Sequence, residues 1–139
     1  MQRALNLACN VRILKLYHKK KKGQGQKKMT DILIGCNGRM GQMITDIVAK
    51  DEEARIVAGI DPFTGKEQEY PVFASLKECD VKADAMIDFS SAVGVEERID
   101  YAIKKQIPLV ECSTGLSKEQ TDYLLDAGKK VAILRSANM

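Results

Sequence analysis

From Asp31 onward the chain alternates between two rhythms. Short runs rich in Ile, Val and Leu give way to longer stretches whose apolar positions recur every three or four residues. "DILIGC" (31–36) predicts a first strand. "GRMGQMITDIVAKDE" (38–52) predicts a helix with Met40, Ile44, Ile47 and Val48 on one face, and "ARIVAGID" (54–61) a second strand. Residues 62–83 are looser, with an extended "PVFAS" and a short helix in "SLKEC". "ADAMIDFS" (83–90) predicts a strand buried on both faces in its middle. "AVGVEERIDYAIKKQ" (92–106) predicts a helix with Val95, Ile99, Ala102 and Ile103 inward, and "IPLVECS" (107–113) a further strand. "SKEQTDYLLDAGKK" (117–130) predicts a helix capped by Ser117, with Gln120 completing an S-x-x-Q box and Gly128 near its end. "VAILRSA" (131–137) predicts the last strand. This alternation implies parallel strands joined by right-handed crossovers. Strands this apolar suit a sheet covered on both faces. The predicted class is α/β, a doubly wound parallel sheet with helices on both faces, over residues 29–139.

Residues 1–28 break the rhythm. They hold nine Lys/Arg and no acid, which leaves 13 basic and 19 acidic residues, a net of −6, to residues 29–139. The overall charge of +3 therefore belongs to a basic leader, and a nucleic-acid partner is not expected. The leader reads as disordered, or as an extension upstream of a natural start at Met29. A short helix over 5–17, a polyanion-binding tail and an organellar presequence are the other readings of it. No apolar run approaches the roughly 20 residues that cross a membrane, so no membrane partner is expected either. Cys9, Cys36, Cys79 and Cys112 form no CxxC pair, and His18 is the sole histidine. That excludes a zinc site of ordinary spacing and fits free thiols in the cytoplasm.

Gly35, Gly38 and Gly41 stand where the first strand hands over to a helix. Glycine weakens either element by roughly 0.5–1 kcal/mol relative to Ala, so this turn needs a bare backbone. At the carboxyl edge of a doubly wound sheet such a turn meets ligands. The first N–H groups of the helix, free of intrahelical partners, can hold a pyrophosphate. The spacing is G-x-x-G-x-x-G, with Cys36 in place of the first glycine of the Rossmann fingerprint. Asp61, 20 residues beyond Gly41, stands where an acid would hold a ribose diol. A carboxylate there, followed by Pro62 rather than Arg, favours NADH over NADPH. Arg39 and Lys66 remain candidates for a 2′-phosphate. The competing reading is a packing turn with an ordinary strand-end Asp.

Two more loops leave the same edge, "DFSS" (88–91) and "CSTG" (112–115). Phe89, Ser90 and Thr114 suit the nicotinamide side of a dinucleotide. Helix capping by Ser90, Ser91, Thr114 or Ser117 is the alternative. Together, "IGCNGRMGQ", "IDFSS", "ECSTGLS" and "RSANM" resemble, in order and spacing, the N-terminal half of the bacterial dihydrodipicolinate (4-hydroxy-tetrahydrodipicolinate) reductases. The resemblance covers 29–139 and implies a Rossmann-type cofactor domain. It implies cofactor contacts at Gly35, Cys36, Asn37, Gly38, Arg39, Met40 and Asp61. It implies further contacts at Cys112, Ser113 and Thr114, where the family usually reads G-T-T, and at Ser136, Ala137, Asn138 and Met139. Cys112 and Ser113 depart from that pattern, and binding is expected to survive through the backbone and the Ser113 hydroxyl.

The implied activity is NAD(P)H-dependent reduction of a small-molecule substrate in lysine and diaminopimelate biosynthesis. No catalytic residue is carried over, because the family's substrate-binding domain, with its histidine-rich segment and homotetramer contacts, is absent from these residues. The chain is thus expected to be an inactive fragment on its own. Two readings rival the reductase: another Rossmann dehydrogenase, such as an aspartate or homoserine dehydrogenase relative, and a free-standing nucleotide-binding or redox-sensing module, with Cys36 and Cys112 at the ends of adjacent strands as its sensor pair.

Overall fold

The computed structural model describes residues 28–136. Its elements are β1 (Met29–Ile34), α1 (Arg39–Ala49), β2 (Ala54–Ile60), β3 (Val72–Phe73), a single 3-10 turn (Leu76–Glu78), β4 (Ala85–Asp88), α2 (Val95–Lys105), β5 (Leu109–Glu111), α3 (Lys118–Ala127) and β6 (Ile133–Arg135). Leader readings that fall on residues 1–27, including Cys9 and His18, lie outside the described residues, as do Ala137, Asn138 and Met139. All strand pairs are parallel, in the order β3-β2-β1-β4-β5-β6. The predicted class holds, and the extended stretch "PVFAS" supplies the sixth strand, at one edge.

Period-two alternation sorts the core onto two faces. Ile32, Ile34, Ile60, Met86 and Leu109 pack against Val95, Ile99 and Ala102 of α2 and Leu124 and Ala127 of α3. Leu33, Ile87 and Val110 pack on the other face against Ile44 and Val48 of α1, with Cys36, Tyr70 and Cys112 beside them. The four residues of β4 are all buried, as a strand covered on both sides requires. Ser117 accepts from the Gln120 N–H while the Gln120 side chain accepts from the Ser117 N–H, the capping box read in the sequence.

Three expectations are corrected. The strands are shorter than the apolar runs: residues 107–113 yield only Leu109–Glu111, and 131–137 only Ile133–Arg135. Of the inward faces, Met40, Ile47 and Ile103 are half-buried, and Arg98 joins Val95, Ile99 and Ala102 as buried. Cys36 and Cys112 do not end adjacent strands, because β4 runs between β1 and β5.

Ile99 lies fully buried between α2 and the sheet. Truncating it leaves a cavity under a helix that cannot collapse onto a flat sheet. Ile99→Ala is expected to destabilise the fold by about 2–5 kcal/mol, read as a lower urea midpoint at unchanged slope. An unchanged midpoint would place α2 off the sheet.

Candidate functional site

The chain runs from β1 outward to β2 and β3, then returns to lay β4, β5 and β6 on the other side of β1. The crevice between the β1 and β4 ends is therefore the switch point, where open α/β sheets take ligands. The turn 35–38 stands over it.

The three glycines of that turn answer to different constraints. Gly35 has φ +83°, and a Cβ there would lie 2.9 Å from the Phe89 carbonyl carbon. Gly41 sits in the first turn of α1, where a Cβ would come within 2.2 Å of the Gly35 carbonyl oxygen. These two are glycines so that α1 and the loop after β4 can close on the end of β1. Gly38 is different. Its backbone is extended (φ −80°, ψ 176°), it is exposed, and a Cβ there would meet only the Gly35 oxygen, at an ordinary 3.6 Å. Packing does not demand glycine at 38, whereas an open approach to the helix N-terminus does.

That N-terminus is arranged for an anion. Gly38 is the N-cap and brings no capping side chain, and the first turn of α1 holds no acid. The N–H groups at the helix start and the positive end of its dipole face the crevice without a competing side chain. Arg39 is exposed beside them.

Asp61 stands at the end of β2 and holds the turn in shape. Its Oδ2 accepts from the Asn37 N–H at 3.0 Å and its Oδ1 from the Phe63 N–H at 2.9 Å. The Asn37 side chain donates to the Phe63 carbonyl at 2.5 Å and accepts from Gln68 at 2.8 Å. Gln42 reaches back to the Cys36 carbonyl at 3.1 Å. A carboxylate offers about four lone-pair sites, so Asp61 keeps acceptor capacity for ribose hydroxyls after fastening the turn.

The Cys36 side chain points into the core, and its Sγ would lie 2.6 Å from a Cβ at Gly59. Burial first, then the Asp61 charge, pushes its thiol up to about 11. Cys112 is buried as well, and burial with the Glu111 and Asp88 charges pushes its thiol up. Neither forms the exposed thiolate a redox sensor needs.

The other loops converge from β4, β5 and β6. Phe89 is half-buried against the α1-side core, and its N–H donates to the Ile34 carbonyl at 2.8 Å. Ser90 does not cap α2; Gly94, at φ 78°, holds that position. The Ser90 N–H and hydroxyl both donate to Asp88 Oδ1, at 2.9 and 2.5 Å. Thr114 is exposed, whereas Ser113 is 1% exposed and its hydroxyl has no partner among the described residues. The expected hydroxyl contact from Ser113 is therefore turned inward. Ser136 donates its N–H to the Glu111 carbonyl at 2.9 Å, which fixes the strand end that leads to 137–139.

Beneath these loops lies a buried polar cluster that the sequence reading did not single out. Asp88 and Glu111 are fully buried register partners on β4 and β5. Arg98 of α2 donates from Nε to Asp88 Oδ2 at 2.5 Å, and from its terminal nitrogens to the Val93 and Ser91 carbonyls at 3.0 and 2.5 Å. Removing one partner of such a buried pair leaves an uncompensated charge, at a cost of about 3–5 kcal/mol. Glu111 Oε1 accepts the Ser113 N–H at 3.0 Å. Burial, and then the charge of Asp88 on the neighbouring strand, pushes Glu111 up to about 8. The signal was present in the sequence as a repeat, "IDFS" and "VECS", each closing an apolar run with an acid. Among the described residues no three His, Cys, Asp or Glu side chains converge on a metal site, and no helix is long and apolar enough to cross a membrane.

Residues 29–139 match the family model described as dihydrodipicolinate reductase, N-terminus. The 4-hydroxy-tetrahydrodipicolinate reductase of Clostridium novyi is 44% identical over 108 residues, spanning 78% of this chain and 43% of that protein. That of Caldanaerobacter subterraneus subsp. tengcongensis is 39% identical over 108 residues, with the same shares of 78% and 43%. The chain thus spans less than half the length of these relatives. Among solved structures, a dipicolinate-bound dihydrodipicolinate reductase from Paenisporosarcina sp. TG-14 superposes with a TM-score of 0.68 at 22% identity, covering 80% of this chain and 48% of that one. The homoserine dehydrogenase of S. aureus superposes at 0.69 with 16% identity, covering 80% and 33%. At these identities the superpositions establish a shared Rossmann-type fold.

Two expected outcomes follow from this geometry. Gly38→Ala should fold with nearly unchanged thermal stability, whereas Gly41→Ala, whose Cβ has nowhere to go, should melt markedly lower; equal losses would show that the turn is looser than described. Glu111 carries a pH signature. Its folded value of about 8 lies above its ordinary 4.5, so between these the folded chain holds a proton that the unfolded chain has released. Its contribution to stability is full below pH 4.5, falls as pH rises to about 8 and levels off above. Thermal unfolding of Glu111→Gln across that range should lack this component, and an identical slope in both chains would refute it.

Proposed function

Because this chain belongs to the dihydrodipicolinate reductase family through the N-terminal domain that residues 29–139 match, we propose that it holds a nicotinamide dinucleotide at the β1–α1 turn and serves as the cofactor half of a reductase of 4-hydroxy-tetrahydrodipicolinate in lysine and diaminopimelate biosynthesis. The observation that carries the reading is Gly38: an uncapped helix N-terminus with no acid in its first turn, kept open by a glycine that packing does not require.

The residues fit a dinucleotide. The N–H groups of Arg39 and Met40 at the start of α1 would hold the pyrophosphate, while the Gly38 N–H donates to the Gly35 carbonyl at 3.3 Å. The spare acceptors of Asp61 would take the ribose hydroxyls of the adenosine. Phe89, Ser90 and Thr114, with the backbone at Cys112 and Ser113, line the nicotinamide side, and Ser136 follows them at the end of β6; the family resemblance assigns further contacts to residues 137–139. When bound, the dihydronicotinamide supplies the hydride for the reduction. This chain's part is to grip, orient and shield that cofactor. Acceptor positioning and proton delivery fall to a second domain, in keeping with the greater length of the relatives. In this reading the substrate is a small molecule, nucleic acid and membrane are not partners, the compartment is the cytoplasm, and the whole enzyme is a homotetramer assembled through that second domain. The −6 balance of residues 29–139 supports the exclusion of nucleic acid.

The Asp61 carboxylate favours NADH, since it would repel a 2′-phosphate. Fluorescence titration of the chain should give tighter binding of NADH than of NADPH, and Gly38→Val should weaken NADH by more than about tenfold, that is ~1.4 kcal/mol. Preference for NADPH would overturn the cofactor choice and point to Arg39 as the phosphate clamp. Undiminished binding by Gly38→Val would overturn the site.

A further inference from the structure

Two loops must stand in register for the nicotinamide side of the site to exist, and they come from different strands. The Asp88–Ser91 loop follows β4, and the Cys112–Thr114 loop follows β5. Each is fastened to a carboxyl group at the end of its own strand: Ser90 to Asp88, through N–H and hydroxyl, and Ser113 to Glu111, through its N–H. Those two carboxyl groups are register partners in the β-ladder, on one face of the sheet, and both are fully buried.

Two carboxylates on neighbouring strands, buried from water, disfavour each other's charge. Arg98 neutralises one: each of its three nitrogens donates elsewhere, to Asp88, Ser91 and Val93, and none to Glu111. Glu111 Oε2 is left with no donor among the described residues. A proton on that oxygen resolves both difficulties, turning an orphaned acceptor into a donor toward Asp88. We propose that Glu111 is a positioning residue: a proton held between Glu111 and Asp88 locks the loop after β5 to the loop after β4, so that the two grip the nicotinamide side of the dinucleotide as one unit. The inference rests on the proposed cofactor site and goes beyond it, since neither carboxyl group touches the cofactor.

Loss of the proton leaves two buried anions facing a single guanidinium. The charged groups around Glu111 are Asp88 on β4, Arg98 on α2 and Arg135, its register partner on β6, with the Cys112 thiol following it in the chain. Arg135 is exposed and screened by water, so it offsets little of the repulsion. The Cys36 and Cys112 thiols are pushed up well above the range in which Glu111 titrates. NADH itself does not titrate between pH 7 and 9, which makes it a clean probe.

The test uses the full chain, labelled with nitrogen-15 and titrated with NADH at pH 7 and at pH 9. A grip that needs the proton should lose about tenfold in affinity over this interval, because apparent affinity falls with the fraction of competent protein. Glu111→Gln keeps an acceptor for the Ser113 N–H and a permanent donor toward Asp88, so its affinity should hold nearly constant. In the wild-type chain without NADH, the Ser90 and Ser113 amide resonances should move with one shared midpoint, and in Glu111→Gln neither should move. A pH-independent wild-type affinity, or the same loss in Glu111→Gln, would overturn the proposal, as would separate midpoints for the two amides. Absence of NADH binding at either pH would overturn the proposed cofactor site itself, and the amide midpoints tell that failure from the first.

Discussion

The site depends on one close approach, the first turn of α1 against the end of β1. A single Cβ at position 41 would sit 2.2 Å from the Gly35 oxygen, and one at position 35 would sit 2.9 Å from the Phe89 carbonyl carbon. The end of β1, the first turn of α1 and the distant loop after β4 thus meet backbone to backbone. Asp61 then ties the turn to β2, and the Asn37–Phe63–Gln68 bonds carry the tie outward along the loop. Close-packed contacts of this kind transmit strain and do not yield gradually. The helix N-terminus is consequently delivered to the crevice in a fixed position, before any ligand arrives.

The two faces of the sheet end differently at this edge. The face under α1 ends in thiols, Cys36 and Cys112, buried and held protonated by their surroundings. The face under α2 and α3 ends in polar groups, with the Asp88–Arg98 ion pair and the Glu111 carboxyl sealed below the loops. Buried ion pairs are poor sources of net stability compared with apolar packing. Their value here lies in geometry: Asp88, Arg98 and Glu111 each hold a named backbone atom of a loop. The Arg98 guanidinium alone fixes the carbonyls of Ser91 and Val93, and Gln120 of α3 adds the carbonyl of Ala92.

Much of this was legible in the sequence, because much of it is local. The strand–helix rhythm, the turn over Gly35 to Gly41, the Ser117–Gln120 capping box and the strand-end position of Asp61 depend on residues close together or on simple periodicity. The rest depends on register and strand order. Arg98 sits in "VEERID", which reads as a solvated face until α2 is laid over the end of β4. Asp88 and Glu111 become partners only once β4 and β5 are known to pair. Cys36 and Cys112 were placed together by an order that did not seat β4 between β1 and β5. Ser113 was expected to offer its hydroxyl, and the parity of the turn after β5 points it inward instead.

The central claim is that the β1–α1 turn is where a dinucleotide is held, and amide chemical-shift mapping of NADH on the labelled chain reads it most directly. The account predicts the largest shifts at Gly38, Arg39 and Met40, with smaller ones at Asp61, Ser90 and Thr114. Shifts confined to the opposite side of α1, in the groove lined by Thr45, Asp46, Arg55 and Glu69, with the turn silent, would contradict it.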